Sequence, residues 1–194
     1  MDKPFSQACE NNKEPILKVL IQHFAQCKRV LEIGSGTGQH GVYFAKNLSH
    51  LAWHTSDASS NHAGIQLWIN ANPSANLHPP FSLVIGQDSW PVTPYDGIFS
   101  ANTAHIMQKH EAKLMMELIA EALPKGGVFC QYGPFNQDGH YSSQSNADFD
   151  LHLKSQGYGG IRDIEDLQYW GRGLELCDQI SMPANNLTLV WKKR

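Results

Sequence analysis

The stretch from Arg29 to Gly41, R-V-L-E-I-G-S-G-T-G-Q-H-G, constrains this chain more than any other. Val30, Leu31 and Ile33 form a short apolar, largely β-branched run, which predicts a buried strand. Gly34, Gly36 and Gly38 then interrupt it at every second position. Glycine tolerates positive φ and lets a ligand approach bare backbone. Val42, Tyr43, Phe44, Ala45 and Leu48 follow at helical spacing, so a helix is expected just after Gly38. Strand, glycine turn and helix together aim helix-start N–H groups into a crevice where a polar ligand can sit.

Two ligand readings compete. Gly36 to Gly41 satisfies the dinucleotide pattern G-x-G-x-x-G, which points to NAD. In that register, though, the first glycine comes two residues after the turn has begun. The other register, Glu32-x-Gly34-x-Gly36-x-Gly38, starts at the strand with an acid. It resembles motif I of the class I S-adenosylmethionine (SAM)-dependent methyltransferases. SAM carries an ammonium and a sulfonium, so a carboxylate at the strand end complements it; a pyrophosphate would not welcome Glu32. That resemblance implies a methionine-end cradle of Glu32, Gly34, Ser35, Gly36, Gly38 and Gln39.

At 194 residues, one domain with a substantial core is expected. Hydrophobic residues make up 41% and charged residues 17%, which fits a soluble globular chain. Net charge is −3, and the longest basic run is the terminal Lys192-Lys193-Arg194. Neither suits a protein that coats nucleic acid, so a small-molecule acceptor is favoured. The four cysteines are scattered without a C-x-x-C pair, and no H-E-x-x-H spacing occurs among the histidines. No metal site or disulfide framework is expected, and the thiols read as reduced and buried. No apolar stretch approaches the ~20 residues of a membrane span. The N-terminus lacks a basic-then-apolar signal, so the expected location is the cytoplasm. The oligomeric state is not written in the sequence.

In chain order, Met1 to Asn12 reads as polar and irregular. Asn11 or Asn12 would cap a helix with Pro15 in its first turn. Ile16, Leu17, Leu20, Ile21 and Phe24 give that helix an apolar stripe. Asn12 and Lys13 are candidates for a lid over a ligand. Leu51 to Ser56 predicts the second strand, ending at Asp57, with Ala58 beside it as a further cofactor-binding candidate. Asp57 is placed to accept ribose hydroxyls, or to cap the next helix at Asn61 to Asn70. Pro79-Pro80 reads as a loop, followed by a third strand at Phe81 to Ile85. Asp88, with Ser89 beside it, stands where SAM enzymes commonly bind adenine; by default a loop aspartate is a turn former. Tyr95 to Ser100 predicts the fourth strand. It runs into Asn102 and His105, beside the place where methyl group and acceptor would meet. The segment is not the N/D-P-P-Y of amino-group methylases on adenine or cytosine. His105 could instead be a packing histidine at a helix start.

Glu111 to Leu123 predicts a helix, and Leu123-Pro124-Lys125-Gly126-Gly127 is the turn found before the fifth strand of class I methyltransferases. Val128 to Tyr132 is that strand, with Cys130 buried and inert within it. Asn146 would cap a helix stopped by Gly157, and Asp163 a second. Leu174 to Met182 and Asn186 to Trp191 read as the last two strands.

Five segments, N-K-E-P-I-L from Asn12, E-I-G-S-G-T-G-Q-H, Y-G-P-F-N-Q-D-G from Tyr132, R-D-I-E-D-L from Arg162 and M-P-A-N-N-L from Met182, resemble the DUF938 (UPF0585) family. The resemblance runs nearly end to end. It implies an α/β, Rossmann-like class I methyltransferase with a seven-stranded, mostly parallel sheet in order 3-2-1-4-5-7-6 and helices on both faces. It also implies one domain with an N-terminal lid and helix (1–28) and a substrate-side insertion (134–172). SAM is the implied cofactor. Asp57 would take the ribose and Asp88 the adenine, while Asn102, His105, Tyr132 and Asn136 would face the acceptor, with His105 as base. An NAD-dependent oxidoreductase and a SAM-binding protein without catalysis are the competing classes. Family members usually carry a longer helical segment after R-D-I-E-D-L than Gln168 to Leu174 provides here.

Overall fold

The computed structural model describes residues 2–194. β1 (Arg29–Ile33) lies between β2 (Ala52–Asp57) and β4 (Gly97–Ala101), and β3 (Leu77–Ser82) forms one edge. On the other side of β4 come β5 (Val128–Gly133), β9 (Asn186–Lys193) and, at the far edge, β8 (Leu174–Met182). β1 to β5 pair in parallel, while β9 runs antiparallel to both β5 and β8. The seven strands therefore stand in the expected 3-2-1-4-5-7-6 order. The remaining strands, β6 (Phe135–Asn136) and β7 (Arg162–Asp163), pair only with each other.

Helices cover both faces. α1 (Gln7–His23) and α2 (Gln39–Asn47) pack Ile16, Leu20, Phe24, Phe44 and Ala45 against Val30, Trp53, Phe99 and Val190. α3 (His62–Ala71) joins this layer through Trp68 and Ile69. On the opposite face, α4 (Lys109–Ala122) and α6 (Ile164–Trp170) bury Met115, Met116, Ile119 and Leu167 against Leu31, Ile33, Phe129 and Trp191. Near-continuous apolar strands such as β1 follow from burial on both faces. Phe44 meets Phe99 edge-on at 5.3 Å and lies tilted against Trp53 at 5.5 Å. Such aromatic pairs add ~0.5–1.5 kcal/mol each beyond area burial. The last helix, α5 (Gln144–Ser155), belongs to neither layer and stands over the strand ends.

Three elements differ from the sequence reading. α1 begins at Gln7, capped by the Ser6 hydroxyl, so Pro15 falls inside it and Asn12 and Lys13 are helical. Contacts to the glycine turn, described below, hold the additional turns. β3 runs through Pro79-Pro80 rather than starting after them. An edge strand tolerates proline because one side has no ladder to supply. Leu83 to Ile85 have already left the sheet. α5 is capped by Ser143, not Asn146, whose side chain turns elsewhere. Of the cysteines, Cys27 and Cys130 are buried, while Cys9 is half-buried and Cys177 exposed.

Candidate functional site

The chain reverses direction across the sheet between β1 and β4, and in such sheets the crevice beyond the carboxyl strand ends is where ligands bind. Here it holds a cavity of about 1050 Å³, bounded by residues following β1, β2, β4 and β5.

The glycine turn forms one end. Gly34 and Ser35 donate their N–H groups to the Ser56 carbonyl at 3.1 and 2.9 Å, which carries the turn across the end of β2. Gly36 N–H donates to Asp57 Oδ2 at 2.7 Å, while Asp57 Oδ1 accepts from Ala58 N–H and the Asn61 amide. Gly34 has φ +73°, and a Cβ there would strike the Thr103 methyl. Gly34, Ser35, Gly36, Asp57, Ala58, Asn102, His105 and Tyr132 all line the cavity.

Glu32, Gly38 and Gln39 stand behind that wall instead. Glu32 is 2% exposed and accepts the Trp53 indole N–H at 3.0 Å; burial pushes its pKa up to about 7. A Cβ on Gly41 would lie 2.7 Å from its carboxylate, so glycine there lets α2 sit down on the acid. Gln39 anchors α1: its Oε1 accepts Ser6 N–H at 2.6 Å and its amide donates to the Ser6 carbonyl and to Glu10. His40 continues the anchoring, with Nε2 2.7 Å from Asn12 Oδ1. Burial holds the His40 pKa down to about 4, so the ring is neutral and this nitrogen donates. Through these contacts Ser6, Cys9, Asn11 and Asn12 become cavity wall.

Asp88 and Ser89 lie outside the cavity. Asp88 Oδ2 accepts from the Ser82 hydroxyl and from Val84 N–H at 2.9 and 2.7 Å, closing the turn after β3. Leu83, Val84 and Ile85 provide the wall there.

At the other end, Asn102 takes φ +57° and donates its N–H to the Tyr132 carbonyl, tying the exits of β4 and β5 together. His105 is 5% exposed, and its ring meets Phe149 edge-on at 5.6 Å. Burial, assisted by Arg162, lowers its pKa to about 4. A Cβ on Gly133 would lie 3.8 Å from both His105 Nδ1 and Asn102 Oδ1, so these groups converge beside β5. Burial also raises the Tyr132 phenol, which therefore keeps its proton. Asn136 sits in β6, part-buried and off the wall, its side-chain oxygen without a partner.

Sequence reasoning missed the rest of this end. It comprises Ser145, Asn146 and Phe149 from α5 and the β8–β9 turn from Pro183 to Asn186. Ala184 and Asn185 have φ +58° and +57°. The Asn146 amide donates to the Asn185 carbonyl at 3.0 Å, and the Asn185 amide to the Ser145 hydroxyl at 3.1 Å. Asp150, 1% exposed, fastens α5 from behind by accepting from Tyr141 Oη, Lys154 Nζ and Ile161 N–H, each at 2.6 Å. The available signal was the motif M-P-A-N-N-L, noted for resemblance but given no site role. Among the described residues no cluster of three or more His, Cys, Asp or Glu could hold a metal, and no helix is long and apolar enough to cross a membrane.

A sequence model described as a protein of unknown function, DUF938, matches residues 3–193. The fold is similar to an O-methyltransferase family protein from Burkholderia thailandensis, with TM-score 0.81, 16% identity and coverage of 93% of this chain and 56% of that one. It is also similar to an O-methyltransferase family 2 protein from Planctomyces limnophilus in complex with apigenin (TM-score 0.76, 16%, 86% and 51%). Human N-acetylserotonin methyltransferase in complex with SAM gives TM-score 0.74, 11% identity and coverage of 93% and 54%. At these identities the likeness is one of fold, and the chain spans about half the length of those structures.

Proposed function

The chain belongs to the DUF938 family, and we propose that it is a SAM-dependent methyltransferase acting on a small molecule. The observation that carries this reading is one cavity whose wall includes both the glycine turn with Asp57 and the group Asn102, His105 and Tyr132. Such a volume slightly exceeds the ~300–1,000 Å³ of ordinary small-molecule sites, leaving room for cofactor and acceptor together.

The residues present suit SAM better than NAD. The N–H of Gly36, which could hold a pyrophosphate, already faces the Asp57 carboxylate. No lysine or arginine lines the cavity to neutralise a diphosphate. Asp57 and Asn61 offer an acceptor and a donor to ribose hydroxyls, and Leu83 to Ile85 offer an apolar surface to adenine. Glu32 acts from beneath the turn, as a buried acid that a cationic ligand above it would favour in its charged form.

When bound, SAM supplies a methyl group on a sulfonium, whose bond to sulfur breaks as the bond to the acceptor forms, with the electron pair left on sulfur. The protein's task is then to align the acceptor and exclude water, and proximity of this kind is worth several kcal/mol. The wall residues Asn102, His105 and Tyr132 do the aligning. His105, neutral with its pKa held down to about 4, accepts the hydrogen bond of an acceptor hydroxyl and would take its proton only as the new bond to the methyl group makes that hydroxyl acidic. The acceptor end is not filled by the protein's own side chains, which favours transfer over mere binding.

Calorimetry with S-adenosylhomocysteine (SAH), SAM and NAD tests the assignment. SAH and SAM should bind and NAD should not; binding of NAD alone would reverse it. With an acceptor in hand, normal turnover by His105→Gln would remove the base.

A further inference from the structure

The acceptor end is built without a usable charge. Only Asp57 and Glu111 among the cavity-lining residues carry a carboxylate, and no lysine or arginine does. Asp57 is engaged by Gly36, Ala58 and Asn61, and Glu111 caps α4 by accepting Gln108 N–H at 2.7 Å. His40 and His105 are neutral. A carboxylate or phosphate entering here would lose water without gaining a counterion, and an ammonium would meet no free acid.

What the wall offers instead is directional. His40 donates to Asn12 Oδ1, which leaves the Asn12 amide N–H₂ to donate onward. Asn12, Tyr132 and Asn186 all line the cavity, and burial raises the Tyr132 phenol so that it keeps its proton. The protonated Tyr132 hydroxyl on that wall can donate to a ligand. Nearby, Ile106 and Phe149 stay 40% and 39% exposed although large and apolar. Bare apolar surface in a pocket is what an apolar ligand covers.

We infer that the acceptor is an uncharged, aromatic-bodied molecule with a hydroxyl directed at His105 and, beside it, an oxygen or ring nitrogen that accepts the Tyr132 proton. This rests on the methyltransferase reading and names the substrate class of the same site.

Three probes share a ring and hydroxyl and differ only in the neighbouring group: 2-hydroxyacetophenone (neutral), salicylate (anionic) and 2-hydroxybenzylamine (cationic). Each is titrated into the SAH-loaded protein by calorimetry or ligand-observed NMR. The neutral probe should bind at least about tenfold more tightly than either charged one. Tyr132→Phe should weaken it about fivefold, one hydrogen bond's worth, with SAH affinity unchanged. Phe149→Ala, which removes only apolar surface, should weaken it as well. Equal or tighter binding of a charged probe, no binding of the neutral one, or indifference to Tyr132→Phe would overturn the inference. If SAH itself does not bind, the methyltransferase reading falls; if SAH binds and the neutral probe does not, only the acceptor class falls.

Discussion

The two ends of the cavity are built on different principles. The glycine-turn end is tied to the neighbouring strand mainly through backbone, Gly34 and Ser35 N–H reaching the Ser56 carbonyl, with the Asp57 carboxylate taking Gly36 N–H. Its shape follows from the sheet. The far end joins four segments remote in sequence, around Asn102, Tyr132, Asn146 and Asn185, and is held by side-chain amides and the Asp150 anchor. Topology fixes the first; individual side chains fix the second. The first should therefore tolerate damage at the second.

Acid should disturb both ends most. His40 and His105 have folded pKa values near 4 against about 6.5 unfolded. Between pH 6.5 and 4 the unfolded chain binds more protons, so stability falls as pH falls through that window, by up to ~3 kcal/mol per histidine. Glu32, raised to about 7 from 4.5, acts oppositely: its burial costs stability as pH rises through 4.5 to 7. Urea titrations at pH 7, 5.5 and 4 should show the histidine loss, and Glu32→Gln should steepen it. Asp57→Ala should weaken SAH about 100-fold, since it strips a charged acceptor from Gly36, Ala58 and a ribose together. Asp150→Asn should speed amide exchange between residues 141 and 162 about tenfold while SAH affinity stays within about twofold, because it loosens only the far end. Asp88→Ala, which touches the wall only through Val84 N–H, should change SAH affinity least, within about threefold; a 100-fold loss would show that the loop reaches the ligand.

The same contrast explains what the sequence made legible. A glycine turn between a strand and a helix is a local pattern, so its spacing and the motif resemblance together put Gly34, Ser35, Gly36 and Asp57 on the wall, but neither could tell that Glu32, Gly38 and Gln39 stand behind it. Asp88 obeyed its local chemistry as a turn former, and nothing in its spacing reveals that Val84 N–H claims it. The first half of α1 read as irregular because its turns depend on Gln39 and His40, about thirty residues away. Pro79-Pro80 read as a loop because edge position is a property of the sheet, not of the dipeptide. Ser145, Asn146 and Phe149 could not be foreseen, since no local rule brings α5 onto the β8–β9 turn, and Asn185 was marked only by its place in the M-P-A-N-N-L motif.

Pro15 divides α1 into a wall half and a core half, and its ring leaves the Asn11 carbonyl without its i+4 donor. One rung of the ladder is therefore missing where cavity lining gives way to packing around Ile16 and Leu20. Fewer backbone hydrogen bonds therefore hold the helix at that rung, and the seating of its first turns on the cavity depends on the grip of Gln39 and His40.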